Sequence, residues 1–213
     1  ATGAALWAAG QAVAGVAIAL LAVPLGAVAD RGGRRRAMLG IATALMVAAT
    51  LGLWFVRPQP SYVPLALGLV GIATVSFEVA CVFYNAMLPS LASPARLGRL
   101  SMLAWGAGYA GGLICLGLSL VVLIQPAVPP FGLDKSQAEP VRATALLAGL
   151  WLAAFAWPCA VFVPEAAARR PWRVAAREGL AELRAVLGDL VRVPPLRRFL
   201  LARLFFMDGL ITL

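Results

Sequence analysis

The chain has 213 residues, of which 62% are hydrophobic and only 13% charged, and its mean hydropathy is +0.90. Soluble domains average about 45–50% apolar and about 25% charged residues, so this composition excludes an ordinary soluble protein and predicts an integral membrane protein in a lipid bilayer. The net charge of +9 does not indicate a nucleic-acid partner, because the basic residues fall in connections between apolar segments and form no basic face with interleaved aromatics.

Five apolar segments are long enough to cross a bilayer as helices, which takes about 20 residues each, and a sixth segment begins near the end of the sequence. The six segments cover residues 6–28, 37–56, 62–84, 102–124, 143–163 and 196–213. Prolines in several of the connections cannot continue a helix and therefore mark the breaks. The sequence predicts an all-α fold, a polytopic transmembrane helical bundle.

The distribution of arginines predicts the orientation of this bundle. They concentrate in the connections after the first, third and fifth spans, whereas the connections after the second and fourth spans are nearly neutral. Because basic loops stay on the cytoplasmic side, we expect these three connections inside and Ala1 outside. The excess of arginine over lysine and the abundance of alanine suggest a bacterial gene, so the expected membrane is the bacterial inner (plasma) membrane. No charged leader or cleavage site precedes the first span, which favours a preceding helix that is missing from this chain.

Three parts follow along the chain. Residues 1–163 form the predicted N-terminal transmembrane bundle, residues 164–195 a cytoplasmic Arg-rich linker, and residues 196–213 the start of the next transmembrane helix. Leucines in the linker recur at helical spacing, at Leu180, Leu183, Leu187 and Leu190. This periodicity predicts an amphipathic helix, which lies either along the membrane surface with its arginines toward anionic headgroups or against the cytoplasmic end of the bundle.

The short basic turn between the first two spans has a distinctive residue pattern. A glycine, an acidic residue, a basic residue, a second glycine and a basic pair stand at Gly26, Asp30, Arg31, Gly33, Arg34 and Arg35. The pattern resembles the loop between helices 2 and 3 of the major facilitator superfamily, although Val28 stands where that family often has leucine. A membrane anchor alone would need the arginines but not the two glycines at this spacing.

The resemblance implies that this loop is a conformational latch between the two halves of a carrier. Asp30 follows a helix end, where it can pair with nearby arginines or with a helix N-terminus, whose dipole favours an anion. The contacts of the loop break as the carrier rocks between its states, so the loss of one partner shifts the populations of those states.

Three further motifs are similar to the UMF1/Atg22-like branch of this superfamily. They are Tyr84-Asn85-Ala86-Met87-Leu88-Pro89, with methionine for the usual leucine, then Gly108-Tyr109-Ala110-Gly111-Gly112, and Phe199-Leu200-Leu201-Ala202 followed by Asp208-Gly209. The resemblance covers nearly the whole chain and implies about helices 2 to 7, roughly half of a twelve-helix carrier. The missing half of the carrier is then an expected partner, supplied by the same gene product or by a second chain.

Glu78 lies well inside the third span and is the first candidate for contact with a substrate or a coupling ion. A charged group at the centre of a bilayer costs at least about 2.5–3.5 kcal/mol on insertion scales and seldom occurs without a role. Tyr84 and Asn85 are candidates of the same kind. The structural alternative is a hydrogen bond from Glu78 to a neighbouring group such as Gln11, Tyr84 or Asn85.

The fourth and sixth spans add further candidates. Trp105 and Tyr109 can line a cavity, and Asp208 matches the branch motif near the expected central cavity. Small residues on the fourth span favour close helix packing, with space for a substrate as the alternative, at Gly106, Gly108, Gly111 and Gly112.

The sequence provides no support for an enzyme. It contains no histidine and no phosphate-binding loop, and its three cysteines lie within apolar segments without metal-ligand spacing, so we expect no catalytic residue, metal or cofactor. The resemblance to the major facilitator superfamily implies a permease that moves a small solute by alternating access, coupled to an ion gradient, with amino-acid export as the first substrate class. The alternatives are a drug or sugar carrier of the same superfamily and a membrane module for assembly or sensing that transports nothing.

Overall fold

The computed structural model describes residues 2–162 and 171–212. Over these ranges the chain is almost entirely helical and contains no strand. Seven α-helices follow one another: α1 (Thr2–Gly32), α2 (Arg35–Gly52), α3 (Val63–Leu91), α4 (Pro94–Leu118), α5 (Glu139–Phe162), α6 (Trp172–Arg192) and α7 (Pro194–Thr212). The predicted all-α helical bundle is confirmed.

Five helical segments of the described residues are long and apolar enough to cross a membrane. They are Gly3–Asp30, Arg35–Phe55, Pro60–Leu91, Pro94–Ile124 and Glu139–Cys159, and each overlaps one of the five complete predicted spans. The third and fourth helices are longer than the apolar segments alone indicate. Pro94 explains the early start of α4, because its fixed φ suits the first turn of a helix.

Helix α3 is the centre of the bundle. It packs against α1 on one side and α2 on another, and α5 completes the contact with α2. Phe83 of α3 is only 2% exposed and is the largest fully buried side chain among the described residues. Around it lies a cluster of mostly small apolar residues: Ala22, Ala29, Leu39, Ala42, Val79, Ala80 and Met87. Small side chains at these positions allow the helix axes to approach closely, as in other membrane bundles.

An arginine that we call the Arg142 clamp holds the short turn that follows α2, Leu53–Phe55, at the end remote from α1. Arg142 of α5 donates hydrogen bonds from Nε and Nη2 to the backbone carbonyl of Trp54, with 2.7 Å for the Nε bond. The Arg142 guanidinium carbon also lies 4.7 Å from the centre of the Trp54 ring. Glu139 stands one turn away on α5, with a carboxylate oxygen 4.0 Å from Arg142. Because the Arg142 side chain is only 12% exposed, these contacts form a largely desolvated junction.

Candidate functional site

The loop between α1 and α2 is closed by a glycine in a left-handed conformation. Helix α1 ends at Gly32, Gly33 has φ +62°, and the N–H of Arg34 donates to the carbonyl of Ala29 at 3.3 Å. This is the Schellman arrangement, in which the residue after the helix turns left-handed and the next N–H returns to an unpaired carbonyl. Glycine suits position 33 because this conformation costs other residues about 1–2 kcal/mol.

The other glycine of the motif allows α1 and α3 to touch. Gly26 is buried, and a Cβ atom added to it would lie 2.9 Å from a methyl carbon of Val82 on α3. Any larger side chain at Gly26 must displace Val82 or separate the helices. The two glycines of the motif therefore serve different purposes, one for helix contact and one for the turn.

Asp30 and Arg35 form the ionic part of the site. Nε of Arg35 donates to Oδ1 of Asp30 at 2.6 Å, and Nη1 of the same guanidinium donates to the backbone carbonyl of Ala86 on α3 at 2.9 Å. Asp30 lies within the last turn of α1 and not beyond its end, so the pair joins the ends of two consecutive helices. One arginine thereby links α1, α2 and α3.

This ion pair is open to solvent, with 36% of the Arg35 side chain and 44% of the Asp30 side chain exposed. Exposed pairs contribute about 0–1 kcal/mol, because water competes for both charges. The other acceptor of Arg35, the backbone carbonyl of Ala86, lies within the last turns of α3. The ion pair itself therefore adds little to the stability of this junction.

Arg34, predicted as part of the same motif, occupies the position before α2 and its side chain is exposed. The side chains of Arg31 and Asp208 lie outside the part of the structure that is described. Their predicted roles remain predictions.

Helix α6 packs directly on the segment of α1 that carries the motif. A Cβ atom added to Gly179 would lie 2.7 Å from the backbone oxygen of Ala27, and one added to Gly32 would lie 3.5 Å from Cβ of Ala175. Ala175 is 0% exposed. Contact with the bundle, one of the two arrangements that the linker periodicity left open, is observed, and contact with the membrane surface stays a prediction.

The predicted substrate residues of α3 lie on different faces of that helix. Glu78 and Asn85 are both exposed and stand seven positions apart, which places them on one face about two turns from each other. Tyr84 instead lines an apolar cavity between α2, α3 and α5. Within the described residues Glu78 has no hydrogen bond or ion pair, so no bond to Gln11, Tyr84 or Asn85 is seen.

The cavity beside Tyr84 has a volume of about 610 Å³, and Trp157 and Cys159 of α5 lie in its wall together with residues of α2. Most of its lining is aliphatic, with Thr43 among the few polar groups. Such a lining suits an apolar occupant better than a polar solute.

Helix α4 carries its predicted residues on open surface. The rings of Trp105 and Tyr109 lie 6.0 Å apart, and the side chains are 59% and 68% exposed. Added Cβ atoms would meet nothing within 4 Å at Gly106, Gly108 and Gly112, whereas at Gly111 the nearest atom is Nε1 of Trp151 at 3.9 Å. Of these four glycines only Gly111 approaches a neighbour among the described residues, and the packing role of the others stays a prediction.

Two structural features escaped the sequence patterns. The Arg142 clamp joins residues 88 positions apart, which no local pattern reveals. Gly179 offered a signal, because an isolated glycine inside a helical pattern often marks a close packing contact.

The described titratable groups outside the membrane segments include one perturbed carboxyl group. Hydrogen bonds from the side chain and backbone N–H of Ser136 hold the pKa of Asp134 below its ordinary value. Asp134 lies in the connection between α4 and α5, beside the clamp and far along the chain from the α1–α2 loop.

The sequence is similar to those of known proteins. The family model described as "Vacuole effluxer Atg22 like" matches residues 4–98 and 93–213. An uncharacterized MFS-type transporter, YxiO of Bacillus subtilis (strain 168), is 24% identical over 196 residues. That match covers 92% of this chain but only 45% of the relative, so the chain spans less than half the length of the curated protein it matches. No solved structure matches the chain.

Proposed function

Since the chain belongs to the Atg22-like vacuole effluxer family, we propose that it forms part of a secondary carrier that moves a small polar solute across a membrane by alternating access. The membership accords with the five apolar helices and with the similarity to an MFS-type transporter. Amino acids are the first substrate class, the direction is export, and an ion gradient drives the movement. The solute site forms between this bundle and the remaining half of the carrier, because carriers of this type bind at the interface of their repeats.

The observation that supports this proposal most strongly is the α1–α2 loop. Arg35 holds α1, α2 and α3 together through Asp30 and the Ala86 carbonyl, and both side chains are exposed. A junction of small net energy between helix ends can form in one state of a transport cycle and open in another. We place the loop on the cytoplasmic side, following the distribution of arginines.

Glu78 is the proposed coupling or substrate group. Its exposed position on α3, without a hydrogen bond or ion pair among the described residues, leaves the carboxyl group free to meet a solute or to exchange a proton with the cavity of the assembled carrier. Asn85, two turns away on the same face, adds a neutral polar contact.

The test is solute flux in proteoliposomes that contain the full-length gene product, with and without a pH gradient. A panel of labelled amino acids is compared with sugars and with lipophilic cations. Glu78→Gln removes the titratable group, and we expect it to abolish gradient-driven flux while exchange of solute continues. Asp134→Asn is the matched control, because Asp134 is an exposed carboxylate outside the spans. Unchanged gradient dependence in Glu78→Gln would remove the proposed role of Glu78, and no flux of any solute would favour a module for assembly or sensing.

A further inference from the structure

The seam between α6 and α1 has an unusual composition. On α6 it consists of Ala175 and Gly179, one turn apart, and on α1 of Ala27 and Gly32. At Gly179 the nearest atoms of α1 are backbone atoms, so the two helices touch with no side chain between them at this point. Contacts of this kind depend on shape, because a single methyl group at Gly179 would collide with a carbonyl that cannot move aside.

The contact points of the seam that are described carry the smallest side chains, glycine and alanine. Val174, Leu180 and Val186 of α6 are 43%, 42% and 56% exposed, so these three side chains contribute only part of their area. Burial contributes roughly 25 cal/mol per Å² of apolar surface, so alanine and glycine at these contact points stabilise the seam less than larger apolar side chains would.

The position of the seam links it to the latch. Gly26 contacts Val82 of α3, and the next residue, Ala27, contacts Gly179 of α6. Gly32 lies between Asp30 and the turn at Gly33. The last two turns of α1 are consequently held between α3 and α6, and the ion pair of the latch projects from the same turns.

We propose that α6 is a strap whose docking on α1 holds the latch closed, and that α6 leaves α1 when the latch opens. Gly179 is the positioning residue that seats the strap. The strap continues directly into α7 at Pro194, so its movement is transmitted along the chain to α7. This inference rests on the proposed carrier function only for the transport readout described below.

A disulfide across the seam tests the proposal. The Cβ separation of 3.5 Å between positions 32 and 175 falls within the range of natural disulfides. We would introduce Gly32→Cys with Ala175→Cys in the full-length protein after replacing Cys81, Cys115 and Cys159 by serine. We expect the bond to form on mild oxidation in membranes, solute flux to stop, and flux to return on reduction.

The matched control pairs Gly32→Cys with Gly188→Cys. Gly188 lies on the same helix as Ala175, and an added Cβ atom there would meet nothing within 4 Å. This pair should not cross-link, and solute flux in the control variant should be the same before and after oxidation. If the 32–175 pair does not cross-link, α6 does not dock on α1 as described. If the disulfide forms but solute flux is unchanged, α6 does not act as a strap.

A second readout does not require transport. Asp30→Asn breaks the latch, and we expect it to slow the 32–175 cross-link by about threefold or more, because an exposed ion pair shifts such an equilibrium modestly. Gly179→Leu should abolish the cross-link, whereas Gly188→Leu should leave it intact. If the reduced carrier moves no solute, the proposed function fails, but the cross-linking rates still test the strap. An equal rate of 32–175 cross-linking with and without Asp30→Asn would overturn the strap.

Discussion

Two arginines, one at each end of α2, donate hydrogen bonds from their guanidinium groups to backbone carbonyls, and they differ in their exposure to water. Arg35 donates to the carbonyl of Ala86 at one end, and Arg142 donates to the carbonyl of Trp54 at the other. Arg142 is 12% exposed and lies over an indole ring, whereas Arg35 is 36% exposed and pairs with an exposed carboxylate.

This difference indicates which of the two junctions depends less on its ionic contacts. Separating a guanidinium from its acceptor carbonyl costs much free energy when both are shielded from water, because each group is then left without a hydrogen-bond partner. An exposed guanidinium exchanges its partners for water at small cost. We therefore regard the Arg142 clamp as a fixed junction and the Arg35 latch as a breakable one.

The largest effect on stability is expected from Arg142→Ala. This change removes two hydrogen bonds to Trp54 and the contact with its ring, and we expect a loss of about 2 kcal/mol or more in the free energy of unfolding. Thermal unfolding in detergent would measure it, with the exposed Arg57→Ala as control. Arg142→Lys should give an intermediate loss, because lysine keeps the charge but not the planar fork. Equal stability of Arg142→Ala and the parent would show that the clamp is not a fixed junction.

A smaller effect is expected from Gly33→Ala. Alanine at φ +62° costs about 1–2 kcal/mol, and the strain falls on the turn that aligns Asp30 with Arg35. The same unfolding measurement should show this loss. Gly40→Ala is the control, because an added Cβ atom there meets nothing within 4 Å. A loss no greater than that of the control would mean that the turn is not held in the left-handed conformation.

The smallest effect concerns pH at the clamp end. Because hydrogen bonds from Ser136 lower the pKa of Asp134, they stabilise the folded loop fully above the ordinary pKa of 3.8 and lose this effect as the pH falls through the lower folded value. Ser136→Ala should raise the pKa of Asp134 toward 3.8, as followed by the carboxyl carbon resonance. A pKa that does not change would contradict the hydrogen-bonded loop, and neither protein should respond near neutral pH.

Hydropathy predicted the spans, and the loop motif singled out the α1–α2 loop, because both patterns depend on residues close together in the sequence. The role of that loop as a latch stays a prediction. The spacing of Gly26 and Gly33 was informative for the same reason. The sequence did not reveal that Val82 faces Gly26, or that the second partner of Arg35 is a backbone carbonyl of α3. Every residue has a backbone carbonyl, so neither hydropathy nor motif spacing reveals which carbonyl accepts a hydrogen bond.

Helical geometry separates Glu78 from Tyr84, although both were predicted to meet a substrate or a coupling ion. Residues six positions apart lie about 120° from each other around a helix, whereas those seven apart nearly coincide. Asn85 therefore shares the face of Glu78, and Tyr84 faces the apolar cavity.

The docking of α6 on α1 brings together segments that are far apart in the sequence. The amphipathic pattern of α6 alone could therefore not choose between the bundle and the membrane surface.

The most direct test of the latch is a charge exchange between Asp30 and Arg35 in the full-length protein, measured as solute flux in proteoliposomes. We predict that Asp30→Arg and Arg35→Asp each reduce the rate several-fold, since a shift of about 1.4 kcal/mol changes an equilibrium tenfold. The double variant should recover much of the rate, though not all, because aspartate at position 35 cannot donate to the Ala86 carbonyl. Normal flux in both single variants, or no recovery in the double variant, would contradict the assignment of this ion pair as the latch.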